Sequence, residues 1–350
     1  MINNITDFGD NVSSKWILED FQEESLIVYV QLIINALGVV GNVLVVVAYY
    51  MGDMYMVSVN DFVLSLAYAD LLAAILLLPI PKFITMPTDF LGHLYCTFIY
   101  QGTLLWVCIK SSVFFIMAIS LECAAAVRKP WLYKKIFCHK PYRRLISVSI
   151  WIISFASNLH RYITDKVSAD GRCNSTLVSQ ATLETPTAAY KADVIMVSLY
   201  VYSITYIIPL LVMITAYALT AARLRKNVGK MSRRNSILVR ARYRVIGVVL
   251  IDIIVFIICL TPNQLMYLIT CFGKDLDVAI LKKVLKFDHI LLSIYVCANP
   301  IIYTATNPQF RLTLKTICCG AQGKRKDSYR ITSMQGETSL DLRTCNGDPF

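Results

Sequence analysis

Seven long apolar segments, separated by polar stretches, restrict what this chain can fold into more than any other feature does. They cover residues 26–50, 57–83, 95–127, 142–163, 190–222, 243–272 and 279–304, and we number them helix 1 to helix 7. A helix of about 20 apolar residues crosses the hydrocarbon core of a bilayer. Because the runs lack the strict alternation of barrel strands, a membrane β-barrel is excluded. The sequence therefore predicts an all-α membrane protein, a seven-transmembrane helix bundle.

Composition agrees with one membrane domain between two polar tails. Of the 350 residues, 56% are hydrophobic and 16% are charged, against about 25% charged in average soluble domains. We detect no internal repeat. The predicted parts are an extracellular N-terminal tail at residues 1–25, the bundle at 26–304, an amphipathic membrane-surface helix (helix 8) at 305–319 and a disordered cytoplasmic tail at 320–350.

The distribution of Lys and Arg predicts the orientation in the membrane. Basic residues concentrate in the loops after helices 3 and 5 and in the C-terminal tail, among them Arg128, Lys129, Arg143 and Arg144. Loops of this kind stay in the cytoplasm. We therefore expect a multi-pass plasma-membrane protein with its N-terminus outside and its C-terminus in the cytoplasm. The net charge of +11 then favours membrane lipid and cytosolic proteins as partners, and not nucleic acid.

Two kinds of modification are consistent with this orientation. Asn-x-Ser/Thr sequons, which are glycosylation acceptors, fall on predicted outer segments at Asn4, Asn11 and Asn174. Cys318 and Cys319 follow the amphipathic stretch on the predicted cytoplasmic side. Because a cysteine beside such a helix is a candidate for palmitoylation, we expect Cys318 and Cys319 to be palmitoylated; the alternative is a pair of unmodified thiols.

Two further cysteines lie at the predicted outer face. Cys96 is at the outer start of helix 3, and Cys173 is in the loop after helix 4. Both face an oxidising compartment, where disulfides persist. We predict that they pair and tie this loop to the bundle; the alternative is two free thiols.

Short motifs, one or two in each helix, resemble those of the rhodopsin-like (class A) G-protein-coupled receptors along nearly the whole chain. They are Gly41-Asn42-Val43, Leu66-Ala67-Tyr68-Ala69-Asp70, Trp151, Pro209 with Tyr217, Phe256 with Cys259-Leu260-Thr261-Pro262, Asn299-Pro300-Ile301-Ile302-Tyr303 and Phe310. Each motif alone is weak, but their order is specific. The resemblance implies a receptor that passes a signal to a heterotrimeric G protein and to arrestin.

The prolines of helices 6 and 7 suggest how such a signal would cross the membrane. Pro262 and Pro300 remove helical hydrogen bonds and create kinks. A kinked helix 6 can swing its inner end outward when a ligand binds the open state better than the closed state. By resemblance, Phe256 belongs to this switch, and Tyr217 and Tyr303 line the opened groove.

A carboxylate near the middle of the bundle needs partners. The charge of Asp70 in helix 2 costs at least about 2.5 kcal/mol in the bilayer when isolated. The resemblance implies a sodium ion held by Asp70, Ser112 and Asn299, with no other cofactor. Lys110, also deep in helix 3, offers an alternative, because its ammonium could replace the ion; otherwise Lys110 faces polar groups elsewhere.

The triplet Glu122-Cys123-Ala124 departs from the family pattern, since relatives carry an arginine where this chain has Cys123. Three interpretations remain open: coupling survives through Arg128 or Lys129, the receptor no longer activates G proteins, or Glu122 has a new partner such as Arg242. The spacing from Cys96 to Cys123 also exceeds the usual spacing. Either helix 3 carries a bulge or the disulfide cysteine is shifted.

The outer half of the bundle indicates the ligand class. Positions 103–105 contain no aspartate for an amine ligand, and Ser293 stands where a retinal-binding lysine would lie. The long loop at 164–189 could form a hairpin, as in peptide-binding relatives, and the acidic N-terminal tail would attract a basic peptide. We therefore predict an extracellular peptide, with a small molecule as the alternative. Candidate pocket residues on the inward faces are Gln101, Leu105, Thr205, Gln264, Tyr267 and His289.

Other functional classes fit less well. A secondary transporter usually shows internal repeats and broken helices. An intramembrane enzyme needs a nucleophile or paired carboxylates, and Asp70, Asp252 and the four histidines form no catalytic set. The sequence therefore predicts a receptor and not an enzyme. Asp252 lies one turn before Phe256, inside the predicted membrane segment. Either it has a functional role, as intramembrane carboxylates usually do, or it is protonated and inert.

Overall fold

The computed structural model describes residues 16–18, 26–51, 58–175, 188–228, 236–272, 278–306 and 308–319. Within them it contains the predicted seven-helix bundle. The helices are helix 1 (Leu26–Met51), helix 2 (Ser58–Leu76), helix 3 (Phe90–Tyr95, Cys96–Tyr100 and Thr103–Arg128), helix 4 (Lys140–Ala156, with a further turn at His160–Thr164), helix 5 (Ala188–Tyr202, Ser203–Ile207 and Ile208–Val228), helix 6 (Ser236–Phe272), helix 7 (Val278–Thr306) and helix 8 (Pro308–Cys319). A short loop helix, Pro130–Ile136, joins helices 3 and 4.

The length and composition of the helices fit a bilayer. Among the described residues, five helices (1, 3, 5, 6 and 7) are each long and apolar enough to cross it. Helices 2 and 4 pack between them: helix 2 contacts helices 1, 3 and 7, and helix 4 contacts helices 2 and 3. The prediction of seven spanning helices therefore agrees with the packing of the bundle.

Helix 3 is the central helix of the bundle. It packs against helices 2, 4, 5 and 6. Its Phe115 joins one core with Met213, Phe256, Leu260 and Tyr295 of helices 5, 6 and 7, each at most 1% exposed. A helix with apolar residues on all sides is buried on all sides, which explains its position.

Helix 3 carries a bulge in its outer half. Cys96–Tyr100 form a π-helical segment, and the helix then breaks at Gly102, whose φ of 71° lies in the left-handed region. Glycine adopts this region without the steric cost that a Cβ brings, and π-bulges insert an extra residue into a helix. The long spacing from Cys96 to Cys123 is therefore a bulge, and no shift of the cysteine is needed.

Two predicted helix ends were too far along the chain. Helix 2 ends at Leu76, where 83 was predicted, because Pro79 and Pro81 follow and cannot continue a helix. Helix 4 ends at Ala156, and residues 157–159 form a turn before the chain resumes one helical turn. Apolar composition continues past both ends, so the hydrophobic pattern did not show them.

Small sheets cover the end of the bundle that carries Cys96, which we name the outer end. Strand β1 (Ile17–Leu18) pairs antiparallel with β2 (Phe83–Thr85), and β3 (Asp165–Val167) pairs with β4 (Cys173–Ser175). A bridge from Thr85 to Arg172 joins the two sheets. The hairpin expected after helix 4 is thus present, whereas the pairing of the N-terminal segment with the loop after helix 2 was not predicted.

Helix 8 packs against the opposite, inner end of the bundle. Phe310 is 3% exposed and lies in a cluster with Val45, Ala48 and Ala67 of helices 1 and 2. Arg311 Nη1 donates to the carbonyl of Ala305 at 2.8 Å, close to the end of helix 7. The apolar face of this amphipathic helix is therefore fixed by the bundle itself.

Candidate functional site

The disulfide fixes the outer end of helix 3. Cys96 and Cys173 are joined, with their Cα atoms 5.5 Å apart, as predicted from the sequence. Gln101, at the break of helix 3, places its Nε2 at 3.5 Å from Cys173 Sγ. The hairpin β3–β4 is therefore attached directly to the part of helix 3 where a ligand pocket was expected.

The other expected pocket residues lie at different depths in the outer half. Thr205 and Gln264 are buried, and Thr205 Oγ1 and Gln264 Oε1 have no hydrogen-bond partner within the described part of the chain. Leu105 and Tyr267 are half-buried, whereas His289 is exposed. Buried polar atoms are normally hydrogen-bonded, so Thr205 and Gln264 are the two of this set that a ligand would satisfy.

Arg161 is an outer residue that the sequence analysis missed. It lies in the one-turn continuation of helix 4, and its Nη1 donates to the backbone carbonyl of Gln101 at 2.9 Å. Asp165 and Tyr267 are close enough to interact with it electrostatically. The Arg161 side chain therefore reaches from helix 4 towards helices 3 and 6. Its place at the end of an apolar run gave no sign of this direction.

Asp288 in helix 7 is a second residue that was missed. It is 0% exposed, and neither of its carboxylate oxygens has a hydrogen bond to any residue that the structure describes. It directly precedes His289, which had been singled out instead. A buried carboxylate normally has a charged or hydrogen-bonding partner, so Asp288 marks a place where a cationic group would be stabilised.

The middle of the bundle contains the polar group expected around Asp70. Asn299 Nδ2 donates to Asp70 Oδ2 at 2.6 Å, and both side chains are buried. Ser112 lies beside this carboxylate, and its Oγ donates to the hydroxyl of Tyr295 at 3.3 Å. Asp70 Oδ1 has no hydrogen-bond partner among the described residues. Carboxylate, hydroxyl and amide oxygens are ligands for hard cations, so these residues fit a sodium ion.

Lys110 does not belong to this group, which corrects one of the two alternatives. Its Nζ donates to Asn158 Oδ1 at 3.0 Å and to Ser157 Oγ at 3.4 Å, both at the outer end of helix 4. The side chain leaves helix 3 on the face turned to helix 4, whereas Asp70 belongs to helix 2 and bonds to Asn299 of helix 7. Lys110 therefore cannot replace a sodium ion, and the alternative, that it faces polar groups elsewhere, is right.

The altered triplet lies at the inner end, in contact with the residues expected to form the switch. Glu122 is fully buried and Cys123 is half-buried. Cys123 and Tyr217 line the same small cavity, together with Thr220 and Val249. The cavity lies between helices 3, 5 and 6, where an arginine in place of Cys123 would project.

Asp252 on helix 6 belongs to the same region. It is 6% exposed, and its Oδ1 has no hydrogen bond within the described part of the chain. It is close enough to Cys123 and to Tyr303 to interact with them electrostatically. The side chain of Arg242, considered as a partner for Glu122, lies outside the described residues. A carboxylate thus stands near the Cys123 thiol.

An ion pair near the inner end joins three helices and was also missed. Arg143 Nε donates to Asp61 Oδ2 at 2.7 Å, and Arg143 Nη1 donates to the carbonyl of Phe137 at 2.8 Å. Tyr49 of helix 1 donates its hydroxyl to Asp61 Oδ1 at 2.5 Å. Arg143 is 4% exposed, although its position in a basic loop suggested a solvated charge. The ion pair connects helices 1, 2 and 4 with the end of the loop helix.

The predicted modification sites are only partly covered by the structure. Asn174 in β4 is exposed, and its Nδ2 donates to Ser168 Oγ at 2.7 Å. Asn4 and Asn11 lie outside the described residues. Cys318 and Cys319 end helix 8, but their side chains also lie outside the described part. Exposure of Asn174 is compatible with glycosylation.

Comparison with known proteins connects these features to a family. A family model described as "7 transmembrane receptor (rhodopsin family)" matches residues 41–303. The mouse adenosine receptor A2b is 27% identical over 334 residues, which cover 91% of this chain and 98% of the relative. The human galanin receptor type 2 is 25% identical over 296 residues, covering 83% and 72%. The Drosophila melanogaster tachykinin-like peptides receptor 99D is 24% identical over 300 residues, covering 83% and 56%.

Proposed function

Because the chain belongs to the rhodopsin family of seven-transmembrane receptors, we propose that it binds an extracellular peptide and signals through an outward swing of helix 6. It is a multi-pass receptor of the plasma membrane for an extracellular ligand, and not an enzyme. Its orientation, the peptide nature of the ligand, the movement of helix 6 and the changed coupling are parts of the proposal.

One contact carries the proposed movement. Tyr206 lies in the π-helical segment of helix 5, and its hydroxyl shares a hydrogen bond of 2.6 Å with Thr261 Oγ1. Thr261 directly precedes Pro262 in helix 6. The Tyr206 ring also stacks on Phe256, with ring centroids 5.4 Å apart. A ligand that displaces the outer part of helix 5 would therefore move two residues of helix 6 that precede the kink at Pro262. This supports a swing of the inner part of helix 6.

The proposed coupling differs from that of relatives because Cys123 supplies no cation. Arg128 and Lys129 are exposed at the inner end of helix 3, so they remain available to a G protein or to arrestin. We propose that coupling is retained through these residues. The alternative is a scavenger or arrestin-linked receptor that does not activate G proteins, and the absence of a cation at Cys123 is the observation that supports it.

Three observations support a peptide ligand with basic groups. A relative is named a receptor for tachykinin-like peptides, although another is named for adenosine. The N-terminal tail is rich in acidic residues, and Asp288 adds a buried carboxylate in the outer half. Negative charge at an entrance attracts cationic ligands. A small molecule remains the alternative ligand.

Peptide libraries applied to cells that express the chain test the proposed function. We expect at least one peptide to give a G-protein response and arrestin recruitment that cells without the chain do not show. Arrestin recruitment alone would support the non-coupling alternative. Transport of a substrate into vesicles that contain the purified chain, without either response, would contradict the proposal.

Sodium is proposed to bind between Asp70, Ser112 and Asn299. Because only the folded chain presents this site, we expect a higher melting temperature in sodium chloride than in potassium chloride at equal ionic strength. Sodium at tenfold its dissociation constant adds about 1.4 kcal/mol. The difference between the salts should vanish in Asp70→Asn, measured by thermal unfolding in detergent. An equal sodium effect in Asp70→Asn would contradict this site.

A further inference from the structure

Lys110 is a cation buried near the middle of the bundle. It is 2% exposed and lies two residues from Ser112 on helix 3. The two hydrogen bonds of its Nζ go to neutral groups, Ser157 Oγ and Asn158 Oδ1. Among the described residues it forms no ion pair. A buried charge is stable only when it is paired or fully hydrogen-bonded, and no described acidic group balances a positive charge on Lys110.

The acceptors of Lys110 are held in place by helix 4 itself. Ser157 Oγ and Asn158 Nδ2 both donate to the carbonyl of Ser154, at 2.9 and 2.7 Å. Their remaining acceptor atoms therefore point at the ammonium. Ser157 and Asn158 can support the end of helix 4 through any donor at this place, including a neutral amide. Hydrogen bonding explains a polar residue at position 110, but it does not explain a full positive charge inside the membrane, which costs about 2.5–3.5 kcal/mol.

More positive charge lies above Lys110, towards the outer end. Arg161 of helix 4 is close enough to interact with Lys110 electrostatically. Arg161 reaches the carbonyl of Gln101 and the neighbourhood of Tyr267. Asp165 is close enough to attract the Arg161 guanidinium. Lys110 and Arg161 thus place positive charge between helices 3 and 4, and Arg161 connects this charge to Gln101, one of the expected pocket residues.

We propose that Lys110 and Arg161 bind a carboxylate group of the extracellular ligand. The proposal rests on the receptor function proposed above and identifies a chemical group of the ligand. Arg161 meets the carboxylate at the outer end, since its planar guanidinium matches the two oxygens. The flexible side chain of Lys110 then turns from Ser157 and Asn158 to the anion, and an ion pair replaces two neutral hydrogen bonds.

The amount of charge favours a carboxylate over a phosphate. Lys110 and Arg161 together carry two positive charges, and Asp165 offsets about one of them. A monoanion would neutralise the charge that remains. Two sources offer such a group: the free C-terminus of a peptide and a small carboxylic acid. A basic peptide with a free C-terminus would also satisfy the acidic N-terminal tail and Asp288, so the inference is compatible with the proposed ligand class.

Thermal stabilisation of the purified receptor tests this without any signalling readout. The probes are a peptide library synthesised with free C-termini, the same library with amidated C-termini, and short carboxylic acids with their amides. We expect at least one carboxylate probe to raise the melting temperature while its matched amide does not. In Lys110→Gln the half-saturating concentration should rise about 10- to 100-fold, and Lys110→Arg should restore most of the affinity.

Two controls separate ligand binding from a structural role. Arg172→Gln removes a positive charge from the exposed outer surface and should leave binding unchanged, and Ser157→Ala removes a neutral partner but keeps the cation. If Lys110 has only a structural role, Lys110→Gln will lower the melting temperature of the ligand-free receptor and leave its affinity for the carboxylate probe unchanged. That result, equal stabilisation by matched amides, or no stabilisation by any carboxylate, would overturn the inference. Because G-protein activation is measured separately, failure here is distinguishable from failure of the receptor function.

Discussion

Arg143→Gln is expected to lower the free energy of unfolding by about 3 kcal/mol, because it leaves the Asp61 carboxylate without its cation in a largely buried place. Arg143 and Asp61 are 4% and 22% exposed. The substitution also removes the donor to the carbonyl of Phe137, so the connection to the loop helix is lost. Thermal unfolding of the purified chain in detergent measures the loss, and the amount of chain at the cell surface should fall with it.

Neighbouring variants show whether the ion pair or the loop charge matters. Arg144→Gln changes the adjacent arginine, which is exposed, and should unfold like the natural chain. The double variant Asp61→Asn with Arg143→Gln removes both charges and should recover a large part of the lost stability, since the cost comes from the unpaired charge. If Arg143→Gln and Arg144→Gln unfold at the same temperature, the ion pair does not have the role assigned to it.

Cys123→Arg is expected to lower basal nucleotide exchange on the G protein about tenfold. An arginine here would lie beside the buried Asp252 carboxylate of helix 6. An ion pair between helices 3 and 6 stabilises the closed state only, so opening costs more. Adding Asp252→Asn should return exchange to the natural level, and Cys123→Ser should leave it unchanged. Exchange is measured with purified chain and G protein in lipid nanodiscs.

Two other outcomes would decide between the remaining interpretations of the triplet. Equal exchange in the natural chain and in Cys123→Arg would make the substitution neutral. No exchange in the natural chain, with exchange recovered in Cys123→Arg, would show that the natural chain does not activate G proteins. The second result would replace retained coupling with the scavenger or arrestin-linked alternative.

The fold could be predicted from the sequence because the hydrophobic signal for membrane helices is long and continuous. The order of the seven helices and helix 8 follow from apolar runs and an amphipathic stretch. The spacing from Cys96 to Cys123 left a bulge in helix 3 as one of two alternatives, which the structure decides. The ends of helices 2 and 4 were less certain, since apolar residues continue beyond Leu76 and Ala156. Pro79 and Pro81 were the available signal for the first of these ends.

The site was predicted less completely because long polar side chains can turn in several directions. Family motifs identified Asp70 and Asn299, and the structure brings them to 2.6 Å. Lys110, by contrast, has the same depth as Ser112 but leaves helix 3 on another face. Arg143 was counted as a loop charge and Arg161 was not singled out, although both turn inward. Which face of a helix a residue occupies depends on helix rotation, and a break such as Gly102 changes that rotation.

The distance from the inner end of helix 6 to helix 4 tests the central claim most directly. Spin labels placed at Arg240 and Arg144 would report this distance by pulsed electron paramagnetic resonance in nanodiscs. We expect the receptor alone to show one main distance, and a longer distance to appear when nucleotide-free G protein or an activating peptide is added. The fraction of receptors with the longer distance should be largest when the peptide and the G protein are added together. A chain that is folded and binds its ligand, yet keeps a single unchanged distance under all these conditions, would contradict signalling through helix 6.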